Sequence, residues 1–431
     1  MKAPRIAGWA GLWVLAGLPG AAEEGPRPLP GWHGIGSVRF EGGLKAFWDV
    51  GGADKAANQL EAAARGFELV DLLGTYADYP GRQKERIVPD GANPWKKPPF
   101  FERIIRRNIA QKKGLQLFVH DIEFQFEEDL GKLWADPGLR KRSGARTPEE
   151  FKEAYYREWG SWYSLPCKWA KERFPESPVG IYGPQPFRRD YWGVAGKDAQ
   201  QIDGTHRTDG DLWKHIHPSV DFVIASIYCF YDKPGSVYYM ASNVEENRRR
   251  VVEHGGRPLY AYTWLRYHNS NKKLENRELD DYLVEAMAVL PYFCGAQGVV
   301  LWGWEPKGRG PYYEKLPLFV RSLRRVADLS AKISIAQPDN DVPVHVLWKT
   351  KQPLVRKLRV ADNEWLVLAA NPWQANDAEL VLAVECGEQI LDLTVRGRHT
   401  EIFHILDGEA TRIEMGESGH QDGCRESMDR R

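Results

Sequence analysis

Seven short apolar runs recur along the chain, and helix-like stretches separate most of them. Strands that alternate with helices pair in parallel, because each helix carries the chain back across the sheet. The predicted strands are Leu44–Val50, Phe67–Leu72, Leu115–Glu123, Pro178–Tyr182, Val220–Tyr228, Pro258–Thr263 and Gly298–Trp302. The pattern predicts the α/β class, with a TIM-like (β/α) barrel of about seven strands over residues 36–333.

An open, doubly wound sheet would show the same alternation of strands and helices. Dinucleotide-binding sheets of that kind carry a glycine-rich phosphate loop after the first strand, where this chain has only Gly51-Gly52. In a closed barrel, catalytic groups come from the carboxyl ends of the strands. Most of the predicted strands end at or near a polar or aromatic residue, which favours the barrel.

The third predicted strand lies in the segment LQLFVHDIEF and ends in two carboxylates, Asp121 and Glu123. Alternate side chains of a strand project from the same face, so this pair emerges together. Crowded carboxylates raise one pKa, and the protonated member can act as an acid near neutral pH. The competing interpretation is structural, with both side chains pairing with Lys or Arg or capping the next helix.

Further polar and aromatic residues follow or end the neighbouring strands. They are Asp49, Asp71, Tyr182, Tyr228, Tyr262, Trp302, Trp304 and Glu305. Carboxylates surrounded by Tyr and Trp suit glycoside hydrolysis, because the carboxyls donate a proton and stabilise the transition state while aromatic faces hold the sugar. Two points stay open: Asp49 and Asp71 either line the cleft or cap the following loops, and Glu305 is an alternative second carboxylate.

Five segments resemble, in order, the hyaluronidase family of glycoside hydrolases: LQLFVHDIEF, VGIYGP, DFVIASIYCF, PLYAYTWLRYH and GAQGVVLWGW. The resemblance implies a seven-stranded barrel and substrate-assisted retention, in which the acetamido oxygen of the substrate attacks the anomeric carbon. It implies that Glu123 is the acid/base and that Asp121 orients the acetamido group. It also implies that Tyr228 contacts this group and that Trp302 lies beneath the sugar.

The chain departs from the family pattern at several positions. The family's Tyr-Gly-Phe-Pro-Asp-Cys-Tyr segment is YGPQPFR here, from Tyr182 to Arg188, and Tyr191 matches its second tyrosine only with a gap. His120 stands where the family has an aliphatic residue, and most cysteines of the animal enzymes are missing. The resemblance therefore supports the fold and the catalytic pair more than it supports hyaluronan as the substrate.

The sequence predicts a secreted glycosidase that cleaves next to a 2-acetamido sugar of a hyaluronan- or other glycosaminoglycan-like glycan. Two alternatives stay open: a retaining two-carboxylate glycosidase for a sugar without an acetamido group, and a non-catalytic carbohydrate-binding surface protein. No cofactor is predicted, and no zinc-ligand spacing of Cys and His is present. The 59 basic and 59 acidic residues cancel, so no overall field steers the protein to nucleic acid. The partner expected from the carboxylates, the aromatic strand ends and the resemblance is a polysaccharide or oligosaccharide, and no nucleic acid is expected.

Lys2 and Arg5 precede an apolar segment, Ile6–Leu18, and a run of small residues. This pattern predicts an export signal peptide over residues 1–22, a secreted or periplasmic protein, and no integral membrane segment in the mature chain. The five scattered cysteines are an odd number, so at least one thiol is expected to be free, with one or two disulfides left open.

The remaining predictions concern three helices and the C-terminal part of the chain. Pro148–Phe174 is predicted as a long helix whose Trp residues belong to the core, because they recur at helical spacing. Asn243–Glu253 and Leu274–Phe293 are also predicted helices. Residues 336–415 show short β-like runs, Val344–Trp348 among them, which predict a small C-terminal β-sandwich, and residues 416–431 a polar disordered tail.

Overall fold

The computed structural model describes residues 32, 34–52, 55–74, 90–123, 129–184, 198–305, 314–340 and 342–415. The predicted signal peptide, the predicted tail, Cys424 and most of the long connection after the second strand lie outside these residues. Among the described residues, no helix combines the length and the apolar character that crossing a membrane requires.

Seven parallel strands form the barrel, as the sequence predicts. They are β1 (Lys45–Gly52), β2 (Glu68–Gly74), β3 (Leu117–Asp121), β4 (Val179–Tyr182), β5 (Val223–Ser226), β6 (Leu259–Thr263) and β7 (Gly298–Glu305). Their order is β4-β3-β2-β1-β7-β6-β5, and every neighbouring pair is parallel. The TIM-like α/β prediction is confirmed.

The barrel comes close to closing between its two edge strands, β4 and β5. At the amino end, the backbone N–H of Asp221 donates to the carbonyl of Val179 over 2.7 Å. At the carboxyl end, the hydroxyls of Tyr182 and Ser226 lie 2.9 Å apart and share a hydrogen bond. Because all strands run the same way, their carboxyl ends meet at one mouth, which is where barrel enzymes place their chemistry.

Helices surround the barrel and continue into the C-terminal region. Their bounds are α1 (Lys55–Ala64), α2 (Phe101–Ile109), α3 (Leu130–Ala135), α4 (Pro137–Ser143), α5 (Pro148–Arg173), α6 (Ala199–Trp213), α7 (Gly235–Glu253), α8 (Asp281–Phe293), α9 (Leu316–Asp328), α10 (Ser330–Ile335) and α11 (Val344–Thr350). The long α5 agrees with its prediction, and its Trp159 and Trp162 are fully buried, which places them in the core.

Two helix predictions need correction, and one helix was missed. Helix α7 begins at Gly235, ahead of the predicted Asn243, and helix α8 begins only at Asp281, after the predicted Leu274. Asn276 adopts a left-handed φ of 68°, which a right-handed helix cannot contain. Helix α6 was not predicted, although Asp198 opens it with a capping box.

Two antiparallel sheets make up most of the C-terminal region. A five-stranded sheet has the order β14-β13-β10-β9-β8, and a two-stranded sheet pairs β11 with β12. Their strands are β8 (Gln337–Pro338), β9 (Leu354–Ala361), β10 (Glu364–Ala370), β11 (Glu379–Cys386), β12 (Gln389–Arg396), β13 (Thr400–Leu406) and β14 (Glu409–Arg412). Apolar side chains of β10, β11, β12 and β13 form one cluster, which lies between the two sheets.

The predicted strand Val344–Trp348 is wrong, because these residues begin helix α11. The alternation of apolar residues in this segment is typical of a strand. However, Val344 and Leu347 are the buried positions, and their spacing of three residues is helical. Pro343 precedes the helix, and Lys351, with a left-handed φ of 53°, ends it.

Helix α8 lies between the barrel and the C-terminal sheets. All its residues from Tyr282 to Phe293 are buried, which is typical of a helix covered on every side. Polar groups join the same two parts of the protein: Thr400 on β13 donates its N–H to Glu285 on α8 and accepts from Arg325 on α9. The C-terminal sheets are therefore packed against the barrel wall.

Four of the five cysteines lie in the described part of the chain. Cys167, Cys229, Cys294 and Cys386 are buried and free of disulfide bonds. Burial raises the pKa of the Cys167 and Cys229 thiols well above their usual range, so both stay protonated and act as small apolar side chains.

Candidate active site

The two carboxylates of the Asp-x-Glu pair stand where β3 ends. Asp121 is the last residue of the strand and is half-buried, Ile122 is fully buried, and Glu123 is exposed. The N–H of Ile122 donates to the carbonyl of Tyr182 over 2.7 Å, which extends the pairing of β3 with β4 beyond the strand. This bond fixes the backbone that carries Glu123.

Gly183 allows β4 to approach that backbone closely. A Cβ atom at this position would lie 1.9 Å from the carbonyl oxygen of Ile122 and 3.3 Å from the nitrogen of Glu123. Its φ of +146° is also a conformation that favours glycine. The glycine of the Tyr-Gly segment thus supports the position of the carboxylate pair, a role that the sequence did not suggest.

Burial raises the pKa of Asp121 from its ordinary 3.8 to about 7, and the negative charge of Glu123 adds to the shift. Asp49, on β1, is buried and its pKa also rises to about 7, chiefly through burial, with a smaller contribution from Asp121. Lys55 and a hydrogen bond from Tyr262 oppose that rise. The site therefore holds carboxyl groups that titrate near neutral pH.

Asp49 and Asp71 have different environments, which resolves the open question between them. The hydroxyl of Tyr262 donates to Oδ2 of Asp49 over 3.1 Å, so Asp49 faces the cluster of site residues. Asp71 instead accepts hydrogen bonds from the backbone N–H groups of residues 113–115, with the shortest, from Gly114, at 2.8 Å. Asp71 thus stabilises the turn that precedes β3.

An aromatic wall lies beside the carboxylates. We use this name for Tyr182, Tyr228, Tyr262, Trp264 and Trp302. The ring centroids of Tyr182 and Tyr262 are 5.3 Å apart, and those of Tyr228 and Trp302 are 5.6 Å apart. Burial raises the pKa of each of the three tyrosines well above its usual range, so their hydroxyls stay neutral and can donate hydrogen bonds.

Two aromatic residues at the site, Trp264 and His268, were not among the predicted site residues. Trp264 packs edge-on against Trp302 at 4.8 Å, and His268 stacks on Tyr228 at 6.1 Å. Trp264 follows Tyr262 by two residues, just past the end of β6. This spacing could have indicated that its side chain lies on the same side as that of Tyr262. No local pattern identified His268, since the fold alone brings its loop to Tyr228.

Some predicted site residues fall outside what the structure describes. Tyr191 lies outside the described residues, and for Trp304 and Glu305 only the backbone, in β7, is described.

His120 is fully buried and faces away from the site towards Pro166 of α5, and burial lowers its pKa to about 3. It is a neutral core residue. Within the described residues, no group of three or more His, Cys, Asp or Glu could hold a metal ion.

The raised pKa values predict how stability changes with pH. Between about pH 4 and pH 7, folded Asp49 and Asp121 hold protons that the unfolded chain has released, so their contribution to stability falls as pH rises through this window. Asp49→Asn removes one of these titrating carboxyls. We therefore expect the free energy of unfolding of this variant, relative to that of the parent, to increase as pH rises from about 4 to 7. Denaturant unfolding at several pH values measures the difference.

The control is Asp392→Asn, at an exposed position on β12. It should follow the parent protein at every pH. A difference between Asp49→Asn and the parent that stays constant from pH 4 to pH 8 would contradict the raised pKa of Asp49.

Comparisons with known proteins give structural likenesses only. No family model matches the chain, and neither does any curated protein. Bee venom hyaluronidase aligns over 60% of this chain and 91% of its own, with a TM-score of 0.43 and 16% identity. A fungal β-1,4-galactanase aligns over 65% of this chain and 88% of its own, with a TM-score of 0.35 and 12% identity. A Paenibacillus polymyxa xyloglucanase aligns over 82% of this chain and 83% of its own, with a TM-score of 0.36 and 10% identity. Likeness at this level carries no activity over to this chain, so its function is inferred from the geometry of the site.

Proposed function

We propose that this protein is a retaining glycosidase that cleaves a glycosidic bond next to a 2-acetamido sugar. The observation that carries the proposal is the position of Asp121 and Glu123 together at the barrel mouth, next to the aromatic wall. The raised pKa of Asp121, to which the charge of Glu123 contributes, keeps one proton on this pair near neutral pH, and because the two carboxyls interact that proton belongs to the pair and not to one residue. An acidic pair of this kind supplies acid catalysis, and tyrosine and tryptophan faces bind sugar rings.

In the proposed first step, the carbonyl oxygen of the substrate's acetamido group attacks the anomeric carbon. The glycosidic bond breaks, and Glu123 gives its proton to the departing oxygen. Asp121 accepts a hydrogen bond from the acetamido N–H and stabilises the positive charge of the resulting oxazolinium ion. Water then attacks the anomeric carbon, Glu123 takes its proton, and the acetamido group is restored with retention of configuration.

The aromatic wall supports these steps by binding. Tyr228 lies between Tyr182 and Trp302, with ring centroids 6.2 and 5.6 Å away, so its hydroxyl has a fixed position from which to bind the acetamido group. Trp302 is partly buried and offers a face to the sugar. Tyr262 donates a hydrogen bond from its hydroxyl to Asp49, whose carboxyl is buried, and this bond holds the tyrosine in place.

Asp49 favours one competing candidate. It is a further buried carboxyl near Asp121, so a two-carboxylate mechanism on a sugar without an acetamido group has a chemical basis. In that mechanism a carboxylate would attack the anomeric carbon in place of the substrate's own oxygen. The two candidates differ in whether the substrate must carry the acetamido group.

The test is analysis of the reducing-end products after incubation with chitin, hyaluronan, chondroitin and plain glucans. We expect cleavage only of glycans with 2-acetamido sugars, and inhibition by a thiazoline analogue of the oxazolinium ion. Cleavage of plain glucans, or activity that is indifferent to the thiazoline, would favour the two-carboxylate mechanism. A protein that retains glycans but releases no product would refute both.

A further inference from the structure

A groove of about 990 Å³ lies between the barrel and the C-terminal sheets, outside the carboxylate pair and the aromatic wall. We call it the junction groove. Its barrel side comes from the loop after β6 and from the first turns of α8 and α9. Its opposite side comes from Asn376, Asp377, Arg398 and His399 of the C-terminal region. Both parts of the protein therefore build it.

The barrel side of the junction groove lies at the same end of the barrel as the candidate active site. Helices α8 and α9 follow the carboxyl ends of β6 and β7, so their first turns lie at the barrel mouth. Trp264 belongs to the aromatic wall, and Arg266, two residues further on, lines the groove. Arg266 pairs with Glu278 in a β-bridge, and Leu279 donates its N–H to Leu265 over 2.9 Å. The segment after β6 thus contributes one residue to the wall and another to the groove.

The lining suits a ligand rich in hydroxyl groups. Most of its side chains are charged or polar, and ion pairs hold several of them in place. Nζ of Lys315 lies 2.6 Å from Oδ1 of Asp281, and Nε2 of His399 donates a hydrogen bond to Oδ1 of Asp377 over 2.9 Å. Fixed donors and acceptors can bind sugar hydroxyls with little loss of side-chain freedom, whereas an apolar ligand would leave them unsatisfied. The volume is that of a ligand cleft for several linked sugars, at the upper end of about 300–1,000 Å³.

The described lining carries an excess of negative charge. Its carboxylates are Glu278, Asp280, Asp281, Glu285, Glu314 and Asp377, and its cations are Arg266, Arg277, Lys315 and Arg398. At full ionisation the six carboxylates exceed the four cations. Burial raises the pKa of Glu278 and of Glu285, so this excess of negative charge grows as the pH rises. A polyanionic chain in this groove would meet electrostatic repulsion, while an uncharged chain would not.

We propose that the junction groove binds the continuing chain of the polysaccharide that is cleaved at Glu123, and that this chain is an uncharged 2-acetamido glycan and not a polyanion. The inference rests on the proposed function for the reaction itself, but it uses a separate surface. It assigns the C-terminal sheets a part in substrate binding. It also implies that long chains bind more tightly than short ones, because only a chain that extends beyond the aromatic wall contacts the groove as well.

The test uses the full-length Glu123→Gln protein, which keeps the groove and does not consume the ligand. Its probes are a hexasaccharide and a disaccharide of N-acetylglucosamine, and a hyaluronan hexasaccharide. We expect the uncharged hexasaccharide to bind about tenfold more tightly than the disaccharide, since the added contacts are worth about 1.4 kcal/mol. The hyaluronan hexasaccharide should bind more weakly than its uncharged counterpart, and salt should narrow that gap.

Arg398→Ala, added to the same protein, removes one of the four side chains that the C-terminal region contributes to the groove. The side chain of Arg398 is exposed and lies over the ring of Tyr282 at 5.5 Å, so its loss does not open the core. We expect the uncharged hexasaccharide to bind about three- to tenfold more weakly and the disaccharide to bind unchanged. The matched control is Arg359→Ala, an exposed arginine on β9 that does not line the groove, and it should leave both affinities unchanged.

The groove assignment is overturned if hexasaccharide and disaccharide bind equally, or if Arg398→Ala and Arg359→Ala act alike. The charge assignment is overturned if the hyaluronan hexasaccharide binds as tightly as the uncharged one. These outcomes are distinct from failure of the proposed reaction. If wild-type protein cleaves none of the glycans while Arg398-dependent binding is present, the reaction is refuted and the groove is supported.

Discussion

Replacing Glu123 with Gln should lower kcat on the cleaved glycan by about a hundred- to ten-thousandfold, the usual contribution of a general acid. The amide keeps the size of the side chain but has no proton to give to the departing oxygen. Glu123 is exposed beyond the end of β3, so the change should leave the fold intact. Steady-state kinetics on the natural polymer measures the loss, and KM should change little because binding is left to the aromatic wall.

A substrate with a nitrophenyl leaving group gives a second measurement, since that group departs without protonation. The variant should lose much less activity on such a substrate than on the polymer. The control is Glu409→Gln, an exposed glutamate on β14, which should match wild-type kinetics. Wild-type turnover by the Glu123→Gln protein on the polymer would remove Glu123 from the mechanism.

The largest expected effect on stability concerns the ion pair between the barrel and the C-terminal sheet. Nε of Arg356, on β9, lies 2.6 Å from Oε1 of Glu245, on α7, and the arginine side chain is 1% exposed. Replacing Glu245 with Leu leaves a buried guanidinium without its carboxylate, which should cost about 3–5 kcal/mol of unfolding free energy. Denaturant unfolding of the full chain measures the change.

The double variant Glu245→Leu/Arg356→Met separates loss of the pair from loss of packing. With both charges removed, the site becomes apolar, and most of the lost stability should return. Arg359→Met, at an exposed position on the same strand, should change the unfolding free energy very little. If the double variant is no more stable than Glu245→Leu, a buried uncompensated charge does not explain the loss.

The alternation of strands and helices could be predicted over the barrel because each element carries its own local signal. Buried strands are short apolar runs, and each of the seven was found within a few residues of its observed bounds. Helix boundaries were harder to predict, since α7 begins at Gly235, ahead of an aromatic segment, and has no capping side chain. In Val344–Thr350 a strand-like alternation was overridden by packing, with Val344 and Leu347 buried on one helical face.

Part of the candidate site could be predicted from the sequence, and part depended on the tertiary structure. Asp121 and Glu123 could be paired from the sequence, because side chains two residues apart share a face of a strand wherever that strand lies. The association of Tyr182, Tyr228 and Tyr262 depends on the near-closure of the barrel, which brings β4 and β5 side by side. The strand count predicted a barrel, but only the three-dimensional structure shows these contacts. His268 has no such signal, because its contact with Tyr228 depends on how two loops meet.

Asp49 and Asp71 show what the sequence alone determined and what the tertiary structure decided. Both could be placed in apolar strands, but parallel strands of a barrel are buried on both faces, so no alternation shows which side of the sheet a residue faces. The fold directs Asp49 to Tyr262 in the site and Asp71 to the turn before β3. Local periodicity thus determined the elements and the carboxylate pair, whereas barrel closure and the docking of the C-terminal sheets decided which side chains surround that pair.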